Sequence, residues 1–303
     1  MARRRAINPA PGPTPTPSPR ATAETSRAAQ CPHRGVPDML LSLALYLILG
    51  AIAGILAGLL GVGGGLVIVP MLNFAFEWQA IPHEFMQHLA LGTSMASIMF
   101  TSISSFRAHH KRGAVLWNVV WRITPGIITG TLVGTWVVAQ LSTNFLKGFF
   151  VCFLYWVAAQ MLLNIKPKPS RELPGNMGMF GMGNVIGAVS SLVGIGGGTL
   201  SVPFMAWCNV AMHTAIGTSA AIGFPIAVSG TVGYIVNGLA TQGLPANTFG
   251  FVYLPALIGI VCASVLTAPL GARLAHSLPV ARLKRIFAVL LLVMATRMLI
   301  GLL

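Results

Sequence analysis

The chain has 303 residues, of which 55% are hydrophobic and 8% charged, and its mean hydropathy is +0.78. A water-soluble domain is about a quarter charged, so a soluble globular enzyme is all but excluded. Lys and Arg number 19 against 5 Asp and Glu, a net charge of +14. Nucleic-acid binding would suit that balance but needs a wettable surface this composition lacks. In an integral membrane protein the same cations report orientation.

Residues 1–38 read as a disordered tail rich in Pro and Arg. Residues 1–37 hold eight prolines and six arginines, with Glu24 as the one acid. The alternating run from Pro9 to Pro19 forms neither helix nor sheet and has polyproline II character. Three readings of the tail stay open: a cytoplasmic extension, an Arg-rich targeting peptide, or an untranslated stretch with the start at Met39.

From Met39 onward, apolar segments at about 39–60, 85–106, 114–140, 145–165, 177–193, 211–237, 249–272 and 284–302 are each long enough to cross a bilayer. Two shorter apolar pieces, about 66–76 and 199–208, follow glycine runs. The predicted fold is therefore all-α: a polytopic membrane protein of about eight full transmembrane helices plus two short glycine-broken segments. Basic breaks fall at Arg107–Arg112, Lys166–Arg171 and Arg273–Arg285. Cys31, Cys152, Cys208 and Cys262 are scattered and read as small buried hydrophobes, with no disulfide framework or metal site.

The middle break separates two copies of one pattern. Gly58-Leu-Leu-Gly61-Val-Gly63-Gly64-Gly65-Leu-Val-Ile-Val69-Pro70 matches Ser191-Leu-Val-Gly194-Ile-Gly196-Gly197-Gly198-Thr-Leu-Ser-Val202-Pro203. His88-Leu-Ala90-Leu-Gly92-Thr93-Ser94 matches His213-Thr-Ala215-Ile-Gly217-Thr218-Ser219, and Leu141, Leu146, Lys147 and Phe150 match Leu278, Leu283, Lys284 and Phe287. The implied organisation is a first repeat at 39–165, a basic connection at 166–176 and a second repeat at 177–303. Internal repeats of this kind mark secondary transporters, with the substrate site where the halves meet.

The paired GxGGGxxxVP blocks, each followed by an AxGTS helix, resemble the TauE/SafE family of membrane transporters over residues 39–303. The resemblance implies a transporter, of exporter type, for sulfite, a sulfonate or another small sulfur-containing or organic anion. The expected protein is a multi-pass transporter of a bacterial inner membrane and, for want of a catalytic set, not an enzyme.

A glycine run inside an apolar segment is a place for a helix to unwind. Unwound backbone at membrane depth must face protein or a water-filled cavity. A short helix restarting after it would aim its amides and positive dipole end at an anion. The candidate substrate-binding residues are thus Gly61, Gly63, Gly64, Gly65, Gly194, Gly196, Gly197 and Gly198, with Thr93, Ser94, Thr218 and Ser219 as hydroxyl donors and His88 and His213 as donors or proton carriers. The competing reading is close helix packing for the glycines, backbone bonding for the hydroxyls and helix-end roles for the histidines. Pro70 and Pro203 are expected to bend or end the short helices.

His109 and His110 read as loop surface. Arg122 is an intramembrane cation or snorkels toward the Lys111–Arg112 loop; Val252 stands near its place in the second half. There is no ATP-binding GxxxxGK[ST] motif, and no cofactor, catalytic set or nucleic-acid partner is expected. Glu77 and Glu84 lie in the connection before the second long helix. The expected partners are the small anion, membrane lipid and further copies of the chain. A passive anion channel and a non-transporting membrane scaffold stay open as rivals.

Two topologies compete. Eight crossings with the tail inside place 12 cations inside and 5 outside, falling to 6 against 5 without the tail. If each glycine run turns the chain back, the halves are inverted. With the N-terminus outside, the inside then holds 10 cations against Lys147 alone, or against 7 with the tail counted. The loop after the AxGTS helix is basic in the first half and uncharged in the second, and the loop before the last helix shows the reverse. That asymmetry favours inverted repeats.

Overall fold

The computed structural model describes residues 36–60, 64–163, 172–275 and 280–302. The tail, Gly61 and Gly63 among the candidate site residues, and most of the connection at 166–176 lie outside the described residues. Residues 41–303 form one unit.

Ten helices follow in order: α1 Val36–Leu60, α2 Gly65–Trp78, α3 His83–His110, α4 Trp117–Ala139, α5 Thr143–Leu162, α6 Asn176–Val193, α7 Gly198–Trp207, α8 Met212–Leu239, α9 Leu254–Ala275 and α10 Val280–Ile300. Among the described residues, α1, α3, α5, α8 and α9 are long and apolar enough to cross a membrane. The protein is an all-α polytopic membrane protein. Its last five helices repeat the order of the first five, with short α2 and α7 in matching places. Large apolar side chains such as Trp121, Val133, Leu266 and Ile286 are exposed on the helices, as a lipid-facing surface requires. Cys208 is buried as expected, whereas Cys152 and Cys262 are exposed. A thiol is apolar enough to face hydrocarbon, so burial in protein is not needed there.

The segment expected to be helical from residue 249 begins instead as a two-residue antiparallel pair, Thr248–Phe249 with Val252–Tyr253. Asn247 and Gly250 adopt positive φ of 63° and 58°, which turns the chain before α9 starts. Glu77 and Glu84 fall within α2 and the first turn of α3 rather than in a connection.

Each glycine run reverses the chain. A Cβ on Gly64 would lie 2.8 Å from the Ala53 carbonyl oxygen, and one on Gly197 would lie 3.2 Å from the Ile186 side chain. Both contacts fall well back along the preceding helix. At the far end of α2, Gln79 Nε2 donates to Tyr46 Oη at 2.6 Å near the start of α1. Pro70 and Pro203 sit inside α2 and α7, which continue to Trp78 and Trp207, so neither proline ends its helix.

With the chain turned back twice, equivalent helices run in opposite directions. Met95 of α3 lies beside Gly230 of α8, and Ser102 beside Gly223. Tyr155 of α5 bonds Thr296 of α10, and Gly148 lies against Leu302. Both pairs are antiparallel, the arrangement inverted repeats produce. Two parallel pairs seal the bundle through small residues. Gly126 and Gly130 of α4 pack on Phe180 and Asn184 of α6, and Gly50, Gly54 and Gly58 of α1 on Ile260, Ser264 and Ala268 of α9.

Candidate functional site

The two short helices begin alike. Gly64 caps α2 with φ 79° and ψ −10°, and Gly197 caps α7 with φ 73° and ψ −7°. This left-handed geometry strains any residue with a Cβ. The Gly64 carbonyl accepts from the amides of Val67 and Ile68, and that of Gly197 from Leu200 and Ser201. The amides N-terminal to those donors have no partner inside their helix. Gly194, also left-handed at φ 69°, ends α6.

These runs meet. A Cβ on Gly65 would stand 2.3 Å from the Gly194 carbonyl oxygen and 2.9 Å from Ile195 Cα, and one on Gly223 of α8 would stand 3.1 Å from the Gly196 carbonyl oxygen. Gly64, Gly65 and Gly194 through Gly198 are all buried. Close approach therefore accounts for Gly65 and Gly194, as the packing reading required.

Of the four candidate hydroxyls, the two threonines bond alike and the two serines do not. Ser94 donates to the Gly194 carbonyl at 2.8 Å, linking α3 directly to the second run. Ser219 accepts from Ser201 of α7 at 2.9 Å. Thr93 accepts from the Tyr253 amide and Thr218 from the Leu116 amide, each at 2.9 Å. Tyr253 and Leu116 immediately precede α9 and α4, so each threonine satisfies an amide at the entry of a helix. That register pairs position 116 with 253, and so sets Gly259, rather than Val252, opposite Arg122.

The histidines are not brought together. His88 is 7% exposed, with Nε2 3.2 Å from the Val138 carbonyl oxygen and its ring stacked on Phe251. It lines a cavity of about 520 Å³ with His83, Gln140, Thr143, Asn144 and Thr241. His213 is exposed at the start of α8. Because α3 and α8 are antiparallel, the two histidines mark opposite ends of the bundle.

Two residues, His109 and Arg122, depart from their expected places. His109 is not loop surface: it is 1% exposed inside α3, with Nε2 3.1 Å from the Gly58 carbonyl oxygen. Tyr234 does the same in the second half, donating to the Ser191 carbonyl at 2.7 Å. Each anchors the helix three residues before a glycine run. Extending the AxGTS alignment would have paired these two residues, at one common offset from Thr93 and Thr218. Arg122 is half-buried and donates to Asn176 Oδ1 at 2.7 Å and the Pro174 carbonyl at 3.2 Å. It fastens the entry to α6 rather than facing a central cavity.

Beside the second run, Ser190 Oγ and Thr199 Oγ1 are buried with no hydrogen-bond partner. Ser190 Oγ lies 3.5 Å from the position a Gly197 Cβ would take, and Thr199 is in the first turn of α7. Neither residue pattern was flagged by the repeat, because Ala57 and Leu66 stand at the matching places in the first half. Buried hydroxyls are rarely left unpaired, so two at one helix start suit a polar occupant.

A family model described as "Sulfite exporter TauE/SafE" matches residues 46–298. The chain is 38% identical over 256 residues to a "Probable membrane transporter protein" of Haemophilus influenzae, covering 84% of this chain and 97% of the relative. It is 30% identical over 239 residues to one of Methanocaldococcus jannaschii, covering 77% and 84%. A third, of Bacillus subtilis, is 28% identical over 218 residues, covering 65% and 80%. No solved structure matches the chain.

Proposed function

Since the chain belongs to the TauE/SafE family of membrane transporters, we propose that it carries a small anion, of the sulfite, sulfonate or small organic class, by alternating access at the meeting of its glycine runs. The observation that carries this reading is the start of α7: a left-handed glycine cap, amides without helical partners, and the unpaired hydroxyls of Ser190 and Thr199. Oriented amides and the helix dipole favour negative charge, and hydroxyls donate to oxyanion oxygens. The start of α2 offers the same geometry from the other half, and the hydroxyls of Thr93, Ser94, Thr218 and Ser219 hold the framework around it. His88, on its cavity, belongs to one entry path.

A carrier fits better than a standing pore because Gly64, Gly65 and Gly194 through Gly198 are buried, so access from either side requires the halves to move. Sidedness follows from charge. Arg107, Lys111, Arg112, Arg122 and Arg273 gather at one end of the bundle, with Lys147 and Arg297 at the other. The positive-inside rule makes the first end cytoplasmic.

The test is flux into liposomes across sulfite, sulfoacetate, thiosulfate and simple carboxylates. Saturable flux of one anion class is expected, and Gly197→Val should abolish it with the protein still in the membrane. Unchanged flux in that variant would refute the site. Non-saturating flux at channel rates would replace the carrier with a pore, and no flux of any solute would favour a scaffold.

A further inference from the structure

The basic end of the bundle holds a second feature that anion transport leaves unused. A cavity of about 570 Å³ lies in a groove between α3 and α9. The two helices run parallel there. Thr101 bonds Ser264, Ser104 donates to the Val265 carbonyl, and Arg112 Nη1 donates to the Ala272 carbonyl at 3.2 Å.

The groove is divided by chemistry. Arg107, Lys111, Arg112 and Arg273 line one end, and no carboxylate lines it among the described residues. Its other walls include Phe100, Ile103, Val265 and Pro269. Phe100 and Lys111 are separated by roughly 16 Å along the helix axis at about 1.5 Å per residue. Phe100 is 40% exposed on a helix that is otherwise mostly buried, and Leu266, which follows the groove-lining Val265 on α9, is 75% exposed. The groove therefore opens sideways, toward hydrocarbon.

A small soluble anion would match the cations but leave the apolar walls uncovered. An acyl chain alone would leave four cations unanswered. A diacyl phospholipid with an anionic headgroup answers both, with its phosphodiester among the cations and one chain along Phe100 and Val265. Basic pockets between transmembrane helices bind such headgroups. We infer that the α3–α9 groove is a binding site for an anionic phospholipid. Because α3 belongs to the first five helices and α9 to the last five, the bound lipid bridges the two halves.

Native mass spectrometry of the full chain, released from micelles holding equal amounts of phosphatidylglycerol and phosphatidylcholine, tests this. Phosphatidylglycerol should be retained over phosphatidylcholine. The Arg107→Gln/Arg273→Gln variant should bind it roughly 25-fold more weakly, at about fivefold per basic residue. Arg285→Gln, whose exposed residue does not line the groove, should leave retention unchanged. If the double variant does not fold, Phe100→Trp, which fills the apolar part, should displace the lipid. Soluble glycerol phosphate should not compete. Equal retention of both lipids, or phosphatidylglycerol binding unchanged in the groove variants, would overturn the inference. So would displacement by glycerol phosphate, which would make the groove a vestibule for soluble anions.

Discussion

Gly65→Ala is the sharpest probe of the contact between the glycine runs. The new methyl carbon would stand 2.3 Å from the Gly194 carbonyl oxygen and 3.0 Å from the Ile98 side chain. Non-bonded heavy atoms settle at about 3.5 Å or more, so the runs must part by roughly 1 Å. Ile98 can rotate away, but Gly194 O is backbone and already accepts from Ser94. Overpacking of this kind costs about 1–3 kcal/mol. If the cost falls on the closed arrangement alone, the equilibrium between states shifts by roughly 5- to 150-fold. Gly181→Ala is the control, since its Cβ would meet nothing within 4 Å and a helical Ala is favoured over Gly by about 1 kcal/mol. Flux in proteoliposomes and thermal unfolding in detergent should both fall for Gly65→Ala and hold or rise for Gly181→Ala. Wild-type flux and stability in Gly65→Ala would show that the runs do not touch in the working protein, and the close-approach argument would fail.

Ser190→Ala and Thr199→Val remove buried hydroxyls that bond nothing in the protein. Thermal stability should hold or rise by about 1 kcal/mol, as expected when an unsatisfied group is removed, while anion flux drops; a stability loss with normal flux would reverse their assignment. Tyr234→Phe takes away the donor to the Ser191 carbonyl. It should lower stability by about 1–3 kcal/mol, the cost of leaving a buried acceptor unpaired, as read by chemical denaturation. Arg122→Gln should loosen the entry to α6, seen as faster proteolysis near Pro174, with the apparent affinity for the anion unchanged. A reporter fused after Leu303 should report the non-cytoplasmic side, because α10 runs antiparallel to α5 toward the end that holds Lys147; a cytoplasmic signal would refute the proposed sidedness.

Much of this architecture is local and so was legible in the chain. Hydropathy over about 20 residues locates helices because the bilayer demands internally satisfied backbone of that length. The GxGGGxxxVP and AxGTS blocks located the breaks and the equivalence of the halves, because a left-handed cap at Gly64 and Gly197 admits little else. The charge asymmetry of the loops even indicated inversion.

Contacts across long stretches of chain were not legible. Thr93 finds the Tyr253 amide 160 positions away, and Ser94 finds Gly194 O 100 positions away. Nothing near either residue says that one caps a helix and the other braces a glycine run. His109 looked like surface because it stands beside His110 and Lys111, yet one helical step turns it inward onto Gly58. For Arg122 the sequence left two readings open, an intramembrane cation or a snorkelling side chain, and neither named Asn176 and Pro174 as its partners. The same hydroxyl, imidazole or guanidinium serves as cap or anchor according to the group it meets. The sequence alone therefore determined the helices, their breaks and their twofold repetition, which depend on nearest neighbours. Only the tertiary structure decided which polar groups bond within the framework and which, Ser190 Oγ and Thr199 Oγ1 among them, meet no partner in it.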